Sequence, residues 1–254
     1  IVTTNDLSDQ YFFVYENFIT PTTLYSADAG NNTFKAYKSL PAYFDASKYE
    51  VKQYKAKSKD GTMVPYFMVS AKGIKNDGTN PTLLYAYGGF EVSISPFYAS
   101  TFGIAWLDKG GTFVLANIRG GGEFGPKWHQ DGIKEKRQNV FDDLYAVSED
   151  LISKKVTSPK HLGVMGGSNG GLLVGVAFTQ RPDLYNAAIT NYWQVPAGWE
   201  STEILMFLKN GNTLKNIRPI KILKKERTIP KYSFIPRHAM IGYILGMPEK
   251  WLPK

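Results

Sequence analysis

Apolar and polar positions in this chain fall first into short extended runs and later into strands that alternate with helical periods. Tyr11-Phe12-Phe13-Val14-Tyr15 is apolar and aromatic, and Thr23-Leu24-Tyr25-Ser26 follows a break at Pro21. Asp28-Ala29-Gly30-Asn31-Asn32 is turn chemistry before Thr33-Phe34 resumes. Short strands at this spacing suit a propeller blade or a sandwich edge, with too few of them to close either. From Tyr49 the pattern predicts a hairpin, Val51 to Lys57 and Met63 to Val69, turning at Asp60-Gly61. Pro81 to Tyr87 and Gly111 to Asn117 read as buried strands, the first running into Gly88-Gly89-Phe90. Val140 to Ile152 carries Phe141, Leu144, Val147 and Leu151 at helical spacing. His161 to Met165 predicts a strand, and Leu172 to Phe178 a helix that ends before Pro182. Strands alternating with helices predict an α/β fold with a mostly parallel sheet covered on both faces.

Residues 191–254 differ in kind. They are rich in Lys, Ile and Pro, lack aspartate and sustain no period, which places a boundary near Thr190. The net charge of +8 also concentrates there: eight lysines and three arginines stand against four glutamates, a net +7. The rest of the chain is close to neutral, so the charge makes no general case for nucleic acid. The 254 residues, 43% hydrophobic and 20% charged, suffice for a sizeable core. Absence of cysteine excludes disulfides and thiolate metal sites. No run approaches the length of a membrane-spanning helix, so no membrane partner is expected. Ile1 is followed by no signal-like stretch, and the chain reads as an internal piece of something longer.

The candidate chemistry centres on Val164-Met165-Gly166-Gly167-Ser168-Asn169-Gly170-Gly171. G-x-S-x-G between a predicted strand and a predicted helix is the form of a nucleophile elbow, with Ser168 at the apex. Gly166 and Gly170 let the backbone turn tightly, and the serine then sits near the positive end of a helix. Gly120-Gly121-Gly122-Glu123-Phe124-Gly125 also fits G-x-G-x-x-G after a strand. A dinucleotide site would need a helix opening there and an acid closing the next strand. Pro126 follows instead, and Asp142 and Asp143 fall where a helix begins, so both read as helix N-terminal charges. No cofactor or metal is expected.

Five segments in series then resemble the prolyl oligopeptidase family of serine peptidases. They are Leu84 to Phe90, Ala116 to Gly125, Lys127-Trp128-His129, Gln138 to Asp143 and Gly166 to Gly171. The resemblance covers about residues 45–190, and residues 1–45 resemble the end of that family's β-propeller. It implies an α/β hydrolase-type sheet with flanking helices, incomplete in its C-terminal half and preceded by a remnant of a propeller blade. The implied domains are 1–45, 46–190 and an aberrant basic tail, 191–254. Ser168 matches the nucleophile, the Asn169 backbone N–H one oxyanion donor and the Tyr87 hydroxyl the second. Phe90 and the Asn169 side chain match positions lining a pocket for a proline ring. The implied substrate is a proline-containing peptide cleaved on the carboxyl side of proline.

The rest of a triad is not in place. After Ser168 the only aspartate is Asp183, which matches a non-catalytic position. The only later histidine, His238, does not resemble the family's glycine-flanked one, and His129 and His161 read as structural or exposed. Trp193 and Trp199 do not sit where the family's proline-stacking tryptophan would. Codons chosen for Met240 to Lys250, read from the third base, spell D-R-V-H-P-G-H-A-R-K, which resembles the family segment carrying the catalytic aspartate. The tail is therefore expected to be family coding sequence read out of frame. The chain as written is expected to be inactive or nearly so, with an unpaired sheet edge where the remaining strands would lie. Two alternatives stay open: a small-ester hydrolase on the same fold, and a non-catalytic chain whose basic tail binds acidic partners.

Overall fold

The computed structural model describes residues 2–4, 6–191 and 204–208. Its first part is a four-stranded antiparallel sheet: β1 (Thr3–Thr4), β2 (Gln10–Asn17), β3 (Thr20–Asp28) and β4 (Thr33–Ser39), paired in chain order. Phe13 faces Tyr25 across β2 and β3 with the rings stacked at 5.0 Å, and Phe34 meets both edge-on. Such cross-strand aromatic pairs are the local stabiliser of a small sheet. At the tight turn between β2 and β3, the Asn17 side chain accepts from the N–H groups of Ile19 and Thr20 at 2.9 and 2.8 Å. That turn drives Phe18 away from its own sheet. Its ring is fully buried against Phe67, Phe97 and Phe113, and its carbonyl accepts from Ala99 N–H at 3.1 Å.

The second sheet contains β5 (Tyr49–Lys57), β6 (Met63–Ala71), β7 (Thr82–Tyr85), β8 (Thr112–Ala116), β9 (Leu162–Gly167), β10 (Ala187–Asn191) and β11 (Ile204–Leu208). Their order across the sheet is β11-β10-β9-β7-β8-β6-β5. The four central strands are parallel, and β11, β6 and β5 join antiparallel. Helices α1 (Ser100–Ala105), α2 (Pro126–Gln130), α3 (Gln138–Ser153) and α4 (Asn169–Gln180) connect them. The central strands alternate between two apolar layers, as a period of two requires. Leu84, Val114 and Val164 face a layer with Leu144, Val147, Leu173 and Val174 of α3 and α4. Leu83, Phe113 and Leu115 face the other layer, which contains Phe18, Phe44, Trp106 and Leu107.

Chain order sets the site. From β7 the chain moves to β8 on one side, then crosses back to β9 on the other. β7 and β9 are parallel neighbours, paired Thr82 with Leu162 through Tyr85 with Met165. Their carboxyl ends therefore bound a crevice at a topological switch point, where open α/β sheets bind ligands.

One expectation is corrected. The edge of β10, expected to stay unpaired beside a tail with no sustained period, is taken by residues 204–208, which form β11 and pair along it from Ala187–Leu208 to Asn191–Ile204. The bare edge of β10 offers a row of backbone donors and acceptors, and five consecutive apolar residues take it. His238, Trp193, Trp199 and the out-of-frame segment lie outside the described residues.

Candidate active site

β9 ends at Gly167 and α4 begins at Asn169, which leaves a single residue, Ser168, to make the turn. It does so at φ 54° and ψ −117°, a conformation held at roughly 1–3 kcal/mol of strain for a residue with a Cβ. The glycines around it explain why the turn closes. A methyl on Gly166 would lie 2.6 Å from the Gly170 carbonyl carbon, and one on Gly170 would lie 2.9 Å from the Ala86 oxygen. The first turn of α4 is thereby pressed onto both strands. Ser168 is exposed, does not cap the helix it precedes, and makes no side-chain hydrogen bond among the described residues. As the first residue of α4, Asn169 keeps a backbone N–H with no intrahelical acceptor.

Opposite the elbow, the chain leaves β7 through Ala86, Tyr87, Gly88, Gly89 and Phe90. Gly88, Phe90 and Glu91 have positive φ, at 59°, 54° and 56°. Gly88 has no alternative, because a Cβ there would meet Ile118 Cδ1 at 2.6 Å and Val140 Cγ1 at 2.7 Å. Val92 N–H to Gly89 O, at 3.0 Å, closes the turn, and Glu91 N–H to Gly120 O, at 3.1 Å, fastens it to the glycine-rich loop. Tyr87 is half-buried, and its ring edge packs on the side of Gly170 where a side chain would stand, 3.7 Å away. Phe90 is 76% exposed on the same loop. The fold thus brings Ser168, Asn169, Tyr87 and Phe90 to the ends of two adjacent strands.

The Asn169 side chain is engaged at both ends. Its Nδ2 donates to the Tyr87 carbonyl at 2.7 Å, and its Oδ1 accepts from Arg137 Nη2 at 3.0 Å. Arg137 Nη1 also donates to the Gly88 carbonyl at 2.7 Å. Gly89 must be a glycine here, since any Cβ would collide with the Asn169 amide. Sequence reasoning did not find Arg137. It sits in the run Lys134-Glu135-Lys136-Arg137, which looks like a solvated charge cluster.

The glycine-rich loop after β8 is fastened from below. Asp143, expected as a helix N-terminal charge, is instead completely buried. It accepts from Arg119 Nε at 2.9 Å, Nη2 at 2.6 Å and backbone N–H at 3.0 Å, and from Ser58 Oγ at 2.6 Å. Arg119 also pairs with Asp60 in the β5–β6 turn. Hydrogen bonding to Arg119 pulls the Asp60 carboxyl down to about 2. Burial opposes the Arg119 charge, yet its bonds to Asp143 and Asp60 raise the guanidinium above its ordinary value. Asp142 bonds to Gln138 one turn earlier on α3.

Neither described histidine is hydrogen-bonded to Ser168. His129 Nδ1 lies 2.7 Å from Gly120 O and 3.1 Å from the Glu91 backbone N–H, both in the loops beside the elbow. His161 Nδ1 pairs with Ser158 Oγ at 3.0 Å. Among the described residues no group of three or more His, Cys, Asp or Glu is placed to hold a metal, and no helix is long and apolar enough to cross a membrane.

A parallel-centred sheet with a serine elbow at its switch point is the α/β hydrolase arrangement, and the four-stranded sheet is part of a preceding β-propeller. Residues 98–195 match the prolyl oligopeptidase family of peptidases. An uncharacterized peptidase of Sinorhizobium fredii is 56% identical over 196 residues, covering 77% of this chain and 27% of that protein. A prolyl endopeptidase of Elizabethkingia miricola is 34% identical over 252 residues, covering 89% of this chain and 36% of that protein. A solved structure, a post-proline cleaving enzyme from Rickettsia typhi, superposes with TM-score 0.65 at 49% identity, covering 71% of this chain and 26% of that one. The chain belongs to the prolyl oligopeptidase family, whose members are serine peptidases. It spans about a quarter to a third of the length of these relatives.

Proposed function

We propose that Ser168 is the acyl-accepting nucleophile of a serine endopeptidase that cleaves peptides on the carboxyl side of proline. The observation that carries this reading is Ser168 itself, strained, exposed and, among the described residues, without a side-chain partner, at the switch point beside an unpaired helix N–H. In this mechanism Ser168 Oγ attacks the scissile carbonyl while a base takes its proton. The oxyanion that forms lies between the Asn169 N–H and the Tyr87 hydroxyl. Collapse breaks the peptide bond, the proton passes to the leaving amine, and water later releases the acyl group by the same route. Phe90 and Asn169 flank the proline ring. The preference for proline is supported by the names of the relatives, prolyl endopeptidases of two Elizabethkingia species among them.

The domain division supporting this function is a propeller end at 1–45, a partial peptidase domain at 46–190 and a basic tail beyond. Among the described residues no histidine is placed to deprotonate Ser168, because His129 and His161 are bonded elsewhere. The reading therefore assigns this chain slow acyl transfer, driven by its oxyanion donors alone, worth up to roughly 10³-fold over water.

Prolonged incubation with a fluorophosphonate probe tests it. Slow labelling that maps to Ser168 and vanishes in Ser168→Ala supports the assignment, and labelling elsewhere only, or none, overturns it. Rapid labelling of the unmodified chain would refute the slow rate. Comparing a proline-containing peptide substrate with a p-nitrophenyl ester separates the peptidase from a small-ester hydrolase.

A further inference from the structure

Arg137 is a half-buried cation with no ion-pair partner among the described residues. Among the described residues no carboxylate pairs with it, whereas Arg119 and Arg181 each pair with two. Desolvation lowers its proton affinity below that of an ordinary guanidinium, so its charge is held at a penalty. Its donors are spent on neutral oxygens: Gly88 O at 2.7 Å, Asn169 Oδ1 at 3.0 Å and, weakly, Gly132 O at 3.4 Å. Its guanidinium also lies 5.5 Å from the Phe141 ring centre. A charge kept in place without a counter-ion needs another reason to be there, and its bonds supply one.

Two of those acceptors belong to the two halves of the site. Gly88 follows Tyr87 on the loop leaving β7, and Asn169 opens α4. The bond to Asn169 Oδ1 also decides which way the amide points. With its oxygen turned to the guanidinium, Asn169 must present Nδ2 to the Tyr87 carbonyl, at 2.7 Å. Reversing the amide would set oxygen against oxygen there. The cation therefore ties the loop to the helix twice, once directly and once through Asn169.

We infer that Arg137 is a positioning residue that sets the spacing of Tyr87 and the Asn169 N–H by bridging Gly88 O and Asn169 Oδ1. The inference rests on the reading of Tyr87 and Asn169 as oxyanion donors at Ser168. Two donors serve one oxygen only if their separation is held, and misplacement by about 1 Å is worth roughly 10²-fold in rate. Lysine would not substitute, because a point charge does not span two acceptors in a fixed plane.

The experiment uses Arg137→Met, Arg137→Lys and Arg137→Ala in the whole chain, with two readouts. One is the rate of Ser168 labelling by a fluorophosphonate. The other is the NMR solvent-exchange rate of the Asn169 side-chain NH₂, which needs no reactivity. Arg137→Met and Arg137→Lys should slow labelling by roughly 10²-fold and release the Asn169 NH₂ to fast exchange. Methylguanidinium added to Arg137→Ala should recover part of the labelling rate, which a misfolded protein would not show. Unchanged exchange of the Asn169 NH₂ in Arg137→Met overturns the inference, whether or not labelling falls. If the unmodified chain never labels, the reading of Ser168 fails by itself, and NH₂ exchange alone then decides whether Arg137 holds Asn169.

Discussion

The carbonyl oxygen of Ala86 lies 2.9 Å from the position a methyl group on Gly170 would occupy. That contact presses the end of β7 against the first turn of α4, and it sets how near Tyr87 comes to the elbow. Gly170→Ala should push the helix from the loop. Overpacking of this kind destabilises by roughly 1–3 kcal/mol. The expected result is a lower urea midpoint together with loss of Ser168 labelling.

Ser168→Gly should separate strain from chemistry. Glycine occupies φ 54° without a Cβ penalty, so the variant is expected to gain about 1 kcal/mol of stability or more while losing all labelling. Equilibrium unfolding and mass spectrometry after probe treatment check the two halves. A variant less stable than the parent would show that the serine side chain has a supporting contact.

Asp143→Ala leaves the Arg119 guanidinium buried with only the half-exposed Asp60 as an ionic partner. Removing one side of a buried ion pair typically costs about 3–5 kcal/mol, so the variant should unfold at much lower denaturant. Asp142→Ala, one residue away and among the described residues bonded to Gln138 alone, should fall within about 0.5 kcal/mol of the parent.

The same cluster gives an acid limb. Asp60 is ordinarily at 3.8 and is held at about 2 in the fold, so the folded state favours the ionised carboxylate. Its contribution is complete above 3.8 and is lost as pH falls toward 2. In Asp60→Asn the acid-unfolding curve should be shallower across that window, measured by circular dichroism, and unchanged in slope at neutral pH.

Phe18→Ala empties a fully buried aromatic site between Phe67, Phe97 and Phe113. Such truncations cost roughly 3–5 kcal/mol. Limited proteolysis in the segment between Ser39 and Tyr49 should accelerate, because that ring anchors the first sheet to the second.

Local chemistry made the elbow legible in the sequence. Gly166 and Gly170 act within a few residues of Ser168, and the strand and helix around them bury Leu162, Val164, Leu173, Val174 and Ala177. The period through Phe141, Leu144, Val147 and Leu151 likewise placed α3 within two residues of its ends. What escaped notice depends on partners far along the chain. Asp143 looks like a helix-start charge until Arg119 and Ser58 are folded against it, 24 and 85 residues away. Arg137 looks solvated because lysines surround it. β11 has no pattern of its own beyond five apolar residues, and becomes a strand through the edge that β10 leaves open.

The hairpin tip at Phe18 works as a fulcrum. With that ring locked among the aromatics of the neighbouring sheet, sliding the blade sideways would draw an aromatic group out into water. Tilting about the tip leaves it seated.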